Sequence, residues 1–170
     1  RRGEKRDGTA SVRDFVLKES PEACDMLIDP EKFDSAFSMI KESAAEAAGT
    51  ACSVLILVSP DCDAGCACRI LTSLLRHENI LYKVQPVSGY GDMDEARASL
   101  CGDDVRSIIL LNCGSRVDLT AMLLESAAYV FVVDHHRPIH LKNVHAERVV
   151  VLDADFDLEG IPSDGDEEWS

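Results

Sequence analysis

Three short clusters hold the side chains best suited to chemistry: Asp61-Cys62-Asp63, Asn112-Cys113-Gly114 and Asp134-His135-His136-Arg137-Pro138. Asp61 and Asp63 stand two apart where a helix begins, and there the free backbone N–H groups and the macrodipole favour anionic side chains. Helix capping alone accounts for that pair. With Asp134 and His135 added, three carboxylates and an imidazole form a donor set suited to Mn²⁺ or Mg²⁺. Such an ion would activate water against a phosphoester.

The clusters fall where apolar runs stop. Cys52 to Val58 is a continuous aliphatic run of the kind that forms a strand buried on both faces. Further strands are predicted at Ile80 to Pro86, Ser107 to Asn112, Tyr129 to Asp134 and Arg148 to Leu152. Helices are predicted at Asp63 to His77, Asp92 to Cys101 and Val117 to Glu125. Ahead of these, Asp29 and Pro30 read as N-cap and first helical residue, with Phe33, Phe37, Ile40, Ala44 and Ala47 at helical spacing until Gly49. Val12 to Leu17 is a weaker apolar segment. Alternating buried strands and crossover helices predict an α/β fold, a mainly parallel sheet with helices on both faces. In such sheets ligands gather at the carboxyl ends of the strands, where all three clusters lie.

Composition narrows the function classes. The chain has 170 residues, with 17 basic against 31 acidic side chains and a net charge of −14. Eight of the acids, and no base, lie in residues 153–170. The longest uninterrupted apolar run has strand length, far short of the roughly 20 residues of a membrane span, so no membrane association is expected. The negative balance disfavours non-specific nucleic-acid binding, which needs Lys and Arg to replace counterions. Seven cysteines, an odd number at scattered positions, suggest reduced thiols of an intracellular protein rather than a disulfide framework. Three units follow: a flexible or weakly structured segment over 1–28, the α/β domain over 29–153 and an acidic linker start over 154–170.

Other candidates have simpler explanations. Cys62-x-x-x-Cys66-x-Cys68 lacks both cluster-loop and zinc-ribbon spacing, so these cysteines, with Cys52 and Cys113, read as structural thiols. His77, His140 and His145 lack ligand spacing. Ser88-Gly89-Tyr90-Gly91 lacks the Walker lysine and the Rossmann spacing, and reads as a turn.

Asp61-Cys62-Asp63 after one strand and Asp134-His135-His136 after a later one resemble the DHH phosphoesterase superfamily of RecJ exonucleases, oligoribonucleases and manganese-dependent pyrophosphatases. Within it, four blocks resemble the eukaryotic family of cell division cycle protein forty-five, a family of RecJ relatives. They are Val58-Ser-Pro-Asp-Cys-Asp-Ala-Gly-Cys-Ala-Cys-Arg-Ile70, Val84-Gln-Pro-Val-Ser-Gly89, Leu110-Leu-Asn-Cys-Gly114 with Val117-Asp-Leu119, and Asp134-His-His-Arg-Pro138. The resemblance covers roughly residues 33 to 160.

That resemblance implies a DHH phosphoesterase-like amino-terminal domain and a non-catalytic subunit of the replicative helicase. By implication it works with the MCM hexamer and the GINS complex, in the nucleus, in initiation and elongation of DNA replication. Single-stranded DNA would be met through the full-length protein and only weakly by this fragment. Active superfamily members carry a His and an Asp where this chain has Leu57 and Asn112. The remaining carboxylates are too few for two divalent ions. The implied pocket of Asp61, Asp63, Asn112, Asp134, His135, His136 and Arg137 is therefore vestigial, with no catalytic residue, no cofactor and no metal expected. In it the Asn112 amide would donate to the carboxylates, Arg137 would supply countercharge and Pro138 would stiffen the turn. The alternatives are one Mn²⁺ or Mg²⁺ on Asp63, Asp134 and His135, or an active manganese-dependent phosphoesterase acting on oligonucleotides or pyrophosphate.

Overall fold

The computed structural model describes residues 27–47, 52–89, 91–93, 95–96, 104–123 and 127–153. Its six strands are β1 (Leu27–Ile28), β2 (Val54–Val58), β3 (Tyr82–Pro86), β4 (Ser107–Leu111), β5 (Tyr129–Val133) and β6 (Val149–Leu152). They form one sheet in the order β1-β6-β5-β4-β2-β3, with every neighbouring pair parallel. The helices are α1 (Phe33–Glu46), α2 (Cys62–His77), α3 (Thr120–Leu123) and α4 (Leu141–His145). The parallel α/β architecture expected from the apolar runs is the one observed.

β2, β4, β5 and β6 are continuous apolar runs because both faces are covered, whereas β3, Tyr-Lys-Val-Gln-Pro at the sheet edge, is largely exposed. Side chains alternate across a strand, so Val54, Ile56 and Val58 pack with Ala36 and Ile40 of α1 and Ala64, Leu71 and Leu75 of α2. Leu55 and Leu57 face the other way, into a core that includes Val87, Met93, Val105, Leu119 and Ala128. All five residues of β2 and of β4 are buried. A buried hydrogen bond, Ser43 Oγ to Ser107 Oγ at 2.8 Å, fixes α1 to the start of β4. No described helix is long and apolar enough to cross a membrane.

Several boundaries differ from the sequence reading for identifiable reasons. The Asp29 carboxylate accepts from Glu31 N at 2.9 Å and closes a 3₁₀ turn, Pro30–Lys32, so α1 proper starts at Phe33. Leu27 and Ile28, placed by the sequence in the weakly structured segment, are an edge strand paired with Val151 and Leu152. Two residues are too few to carry a period. The short helix α4 was not predicted for the same reason. Of the helix expected over Asp92 to Cys101, residues 91–93 and 95–96 are helical. Its remainder, the Val12–Leu17 segment, most of the 1–28 unit and the whole 154–170 unit lie outside the described residues.

Candidate functional site

Strand order reverses beside β2: the chain passes through α2 to β3 on one side, then returns across to β4 on the other. The carboxyl ends of β2 and β4 therefore flank the switch point where open α/β sheets bind ligands. Asp61 and Asn112 stand on those two ends, and Asp134 stands on the end of β5.

Asp61 is the N-cap of α2, with Oδ1 accepting from Ala64 N at 2.7 Å. Its Oδ2 accepts from Asn112 Nδ2 at 2.8 Å. A carboxylate only accepts, so the amide must present its nitrogen, and this is the donation the sequence reading anticipated. The Ala64 N–H first, then the Asn112 amide and the Ser59 hydroxyl, hold the Asp61 pKa down at about 2. Asn112 adopts φ 55°, a left-handed conformation that Asn tolerates better than most residues. Two residues on, Gly114 has φ 96°, and a Cβ there would meet Leu110 Cδ1 at 3.2 Å. This tight turn swings Ser115 under Asp134.

Asp134 is buried and fully engaged. Ser115 N donates to Oδ2 at 3.0 Å, while His136 N at 3.1 Å and His136 Nδ1 at 2.6 Å meet Oδ1. Burial works to raise its pKa, but the hydrogen bonds from Ser115 and His136 outweigh burial and the net shift is downward. The His135 and His136 rings stack with centroids 4.5 Å apart. Among the described residues, Asp134, His135 and His136 form the one cluster of three ligand-type side chains, with atoms within 4.8 Å of one another.

Two cavities flank this centre and share Asn112 and Asp134 as a wall. One, of about 290 Å³, takes in Asp63, His135, Arg137 and Asp153; the other, of about 300 Å³, takes in Ser59, Ser88, Arg116 and His136. The sequence-predicted residues thus converge, with two differences. Asp63 sits exposed on the first turn of α2, outside the cluster of Asp134, His135 and His136, which differs from the alternative ligand set of Asp63, Asp134 and His135. Arg137 forms an ion pair with Asp153, a residue that the sequence reading did not include in the pocket. Asp153 follows β6, the neighbour of β5, which brings it beside the loop that follows β5.

Leu57 is completely buried between Leu55, Leu110 and Val132 in the apolar core. Cys113 is likewise no nucleophile: burial first, then the charges of Asp134 and Asp61, pushes its thiol up to about 12. Three contributors had escaped the sequence reading. Ser115, besides holding Asp134, donates through Oγ to His136 O at 2.9 Å. Asn143 on α4 donates to Ser115 O and Val117 O and accepts from Leu119 N. Asp153 holds Arg137. Position after Gly114 was a usable signal for Ser115; Asn143 and Asp153 carried none.

A family model described as CDC45 matches residues 54–167, from β2 through the acidic stretch. The chain belongs to the CDC45 family. It is 38% identical over 137 residues to the cell division control protein 45 homolog of Schizosaccharomyces pombe, covering 79% of this chain and 21% of that protein. With the Homo sapiens homolog it is 36% identical over 109 residues, covering 62% of this chain and 19% of the relative. The crystal structure of CDC45 from Entamoeba histolytica superposes with a TM-score of 0.66 at 20% identity, over 77% of this chain and 26% of that one. That likeness is one of fold. The chain spans about a fifth of the length of the curated CDC45 relatives it matches.

Proposed function

We propose that this chain is a non-catalytic part of a DNA-replication protein, the amino-terminal DHH-type portion of a replicative helicase subunit. In this reading it acts in the nucleus during initiation and elongation, beside the MCM hexamer and the GINS complex, and reaches single-stranded DNA only as part of the full-length protein. Membership of the CDC45 family supports the replication role. The observation that carries the non-catalytic reading is the state of the two innermost carboxylates. Each oxygen of Asp61 accepts a hydrogen bond, from Ala64 N and from Asn112 Nδ2, and each oxygen of Asp134 does so from Ser115 N and the His136 donors. Divalent ions are bound by carboxylates whose lone pairs are free to turn toward them. These instead spend their charge on cap and turn N–H groups, and the pocket serves as a polar brace at the switch point without metal or cofactor.

The test takes the full-length protein through copurification with MCM and GINS and through a Mn²⁺-dependent hydrolysis assay on a labelled oligonucleotide, with Asp134→Ala as control. The expected result is stable association without turnover. Failure to associate with either complex overturns the helicase reading, and metal-dependent turnover lost in Asp134→Ala overturns the non-catalytic one. The Asp134, His135 and His136 cluster favours one second reading, a single Mn²⁺ or Mg²⁺ retained without catalysis. A rise in Tm on adding Mn²⁺, absent in His135→Ala, would select it.

A further inference from the structure

Outside the carboxylate pocket, α2 carries two thiols on its solvent side. Cys62 and Cys66 are the exposed members of the free cysteines described. They lie four residues apart on α2, about one helical turn. We propose that Cys62 and Cys66 form a binding site for a soft, two-coordinate cation of the Cu(I) type, held as a bis-thiolate bridge across the first turns of α2.

Helix geometry decides what such a pair can do. Side chains four apart on a helix hold their Cβ atoms about 5–6 Å from each other. A disulfide needs a Cβ separation of about 3.5–4.5 Å, so a direct S–S bond requires α2 to distort. A bridging metal supplies the missing length, because two metal–sulfur bonds of about 2.3 Å each span roughly twice that between the sulfurs. The pair is thus too wide to oxidise cleanly and well spaced to chelate.

The donor count decides which ion. Thiolates select soft metals such as Cu(I). Zn²⁺ in a structural site wants four ligands, and among the described residues no third ligand-type side chain joins the two thiols. Cys68 packs against the α2 face of the core and Cys113 is part-buried beside Leu57, so neither completes a larger thiolate set. A two-coordinate ion needs no more than the pair provides. Asp63, exposed on the first turn of α2 next to Cys62, carries a negative charge that favours a cation over an anion here. The reaction is an exchange without electron transfer. Each thiol releases its proton to solvent, each sulfur forms one bond to the metal, and the oxidation state of both is unchanged.

The experiment titrates the 170-residue chain anaerobically, in the presence of reductant, with Cu(I) held by a chromophoric chelator, and repeats the titration with Zn²⁺. The expected result is one Cu(I) withdrawn per chain, with a competition constant at least about tenfold weaker in Cys62→Ser/Cys66→Ser. A Cys68→Ser/Cys113→Ser variant retains it, and Zn²⁺ is not held under the same competition. Circular dichroism and a parallel Cys62→Ala/Cys66→Ala variant separate site loss from misfolding. An unchanged titration in the double variants overturns the proposal. So does retention of full stoichiometry by each single variant, or quantitative formation of a Cys62–Cys66 disulfide under mild oxidation with the helix intact.

Discussion

Both oxygens of Asp134 accept protein hydrogen bonds, from Ser115 on one side and from His136 on the other. The same donors set its response to acid. Asp61, at about 2, and Asp134 both bind protons less readily in the folded chain than in the unfolded one. The unfolded state therefore takes up more protons as pH falls, and the stability these groups contribute, fully present above the ordinary carboxylate range, is lost as pH drops through their folded values. Urea midpoints are expected to hold near neutrality and to fall between about pH 4 and pH 2. In Asn112→Leu, Asp61 loses the amide donor and its pKa rises toward the ordinary value, so the acid limb becomes shallower. Carbon-detected NMR titration of the Asp61 carboxyl reads the shift directly, and an unmoved Asp61 would contradict this account of the pocket.

Among the elements, β2, β4, β5 and β6 were legible because each is a short aliphatic run buried on both faces, and α2 because Asp61 caps a strongly amphipathic segment. The loop ends of those strands were legible too, so Asp61, Asn112 and Asp134 could be grouped before any geometry was known. What the sequence did not reveal are the parts held by partners rather than by pattern. β1 exists because β6 offers it an edge, and α4 exists because Asn143 threads its amide into the loop over residues 115–119. Asn143 is fully buried, and its replacement by Ala leaves Leu119 N without an acceptor. Asn143→Ala is expected to cost about 1–3 kcal/mol, measured by urea unfolding. The His136 resonances should shift at the same time, since Ser115 links that loop to His136 O. A destabilised variant with unmoved His136 resonances would mean that the loop and the pocket are independent.

At the scale of the molecule, the sheet takes in Leu27 and Ile28, which lie just ahead of the 29–153 unit read from the sequence. Ile28 is 9% exposed, its carbonyl accepts from Asp153 N at 3.1 Å, and it packs with the α1–α2 side of the sheet. A chain trimmed to 29–153 is therefore expected to be less stable than one trimmed to 27–153 by about 1.5–3 kcal/mol, the worth of one buried Ile. Denaturant midpoints of the two pieces decide this, and equal midpoints would make β1 a passive strand. The opposite edge of the sheet has a different fate. Leu81 O accepts from Val54 N and Val87 N donates to Val58 O, so along β3 the odd-numbered residues turn their backbone toward β2 and Tyr82, Val84 and Pro86 turn theirs outward. Pro86 has no N–H to offer, which leaves two outward donors on the whole strand, too short a template for a foreign strand to extend. Pro86→Val restores the third donor, and sedimentation velocity should then show concentration-dependent self-association that the parent chain lacks. Among the described residues, Pro86 thus stands at the β3 edge as the position where an outward backbone donor is missing.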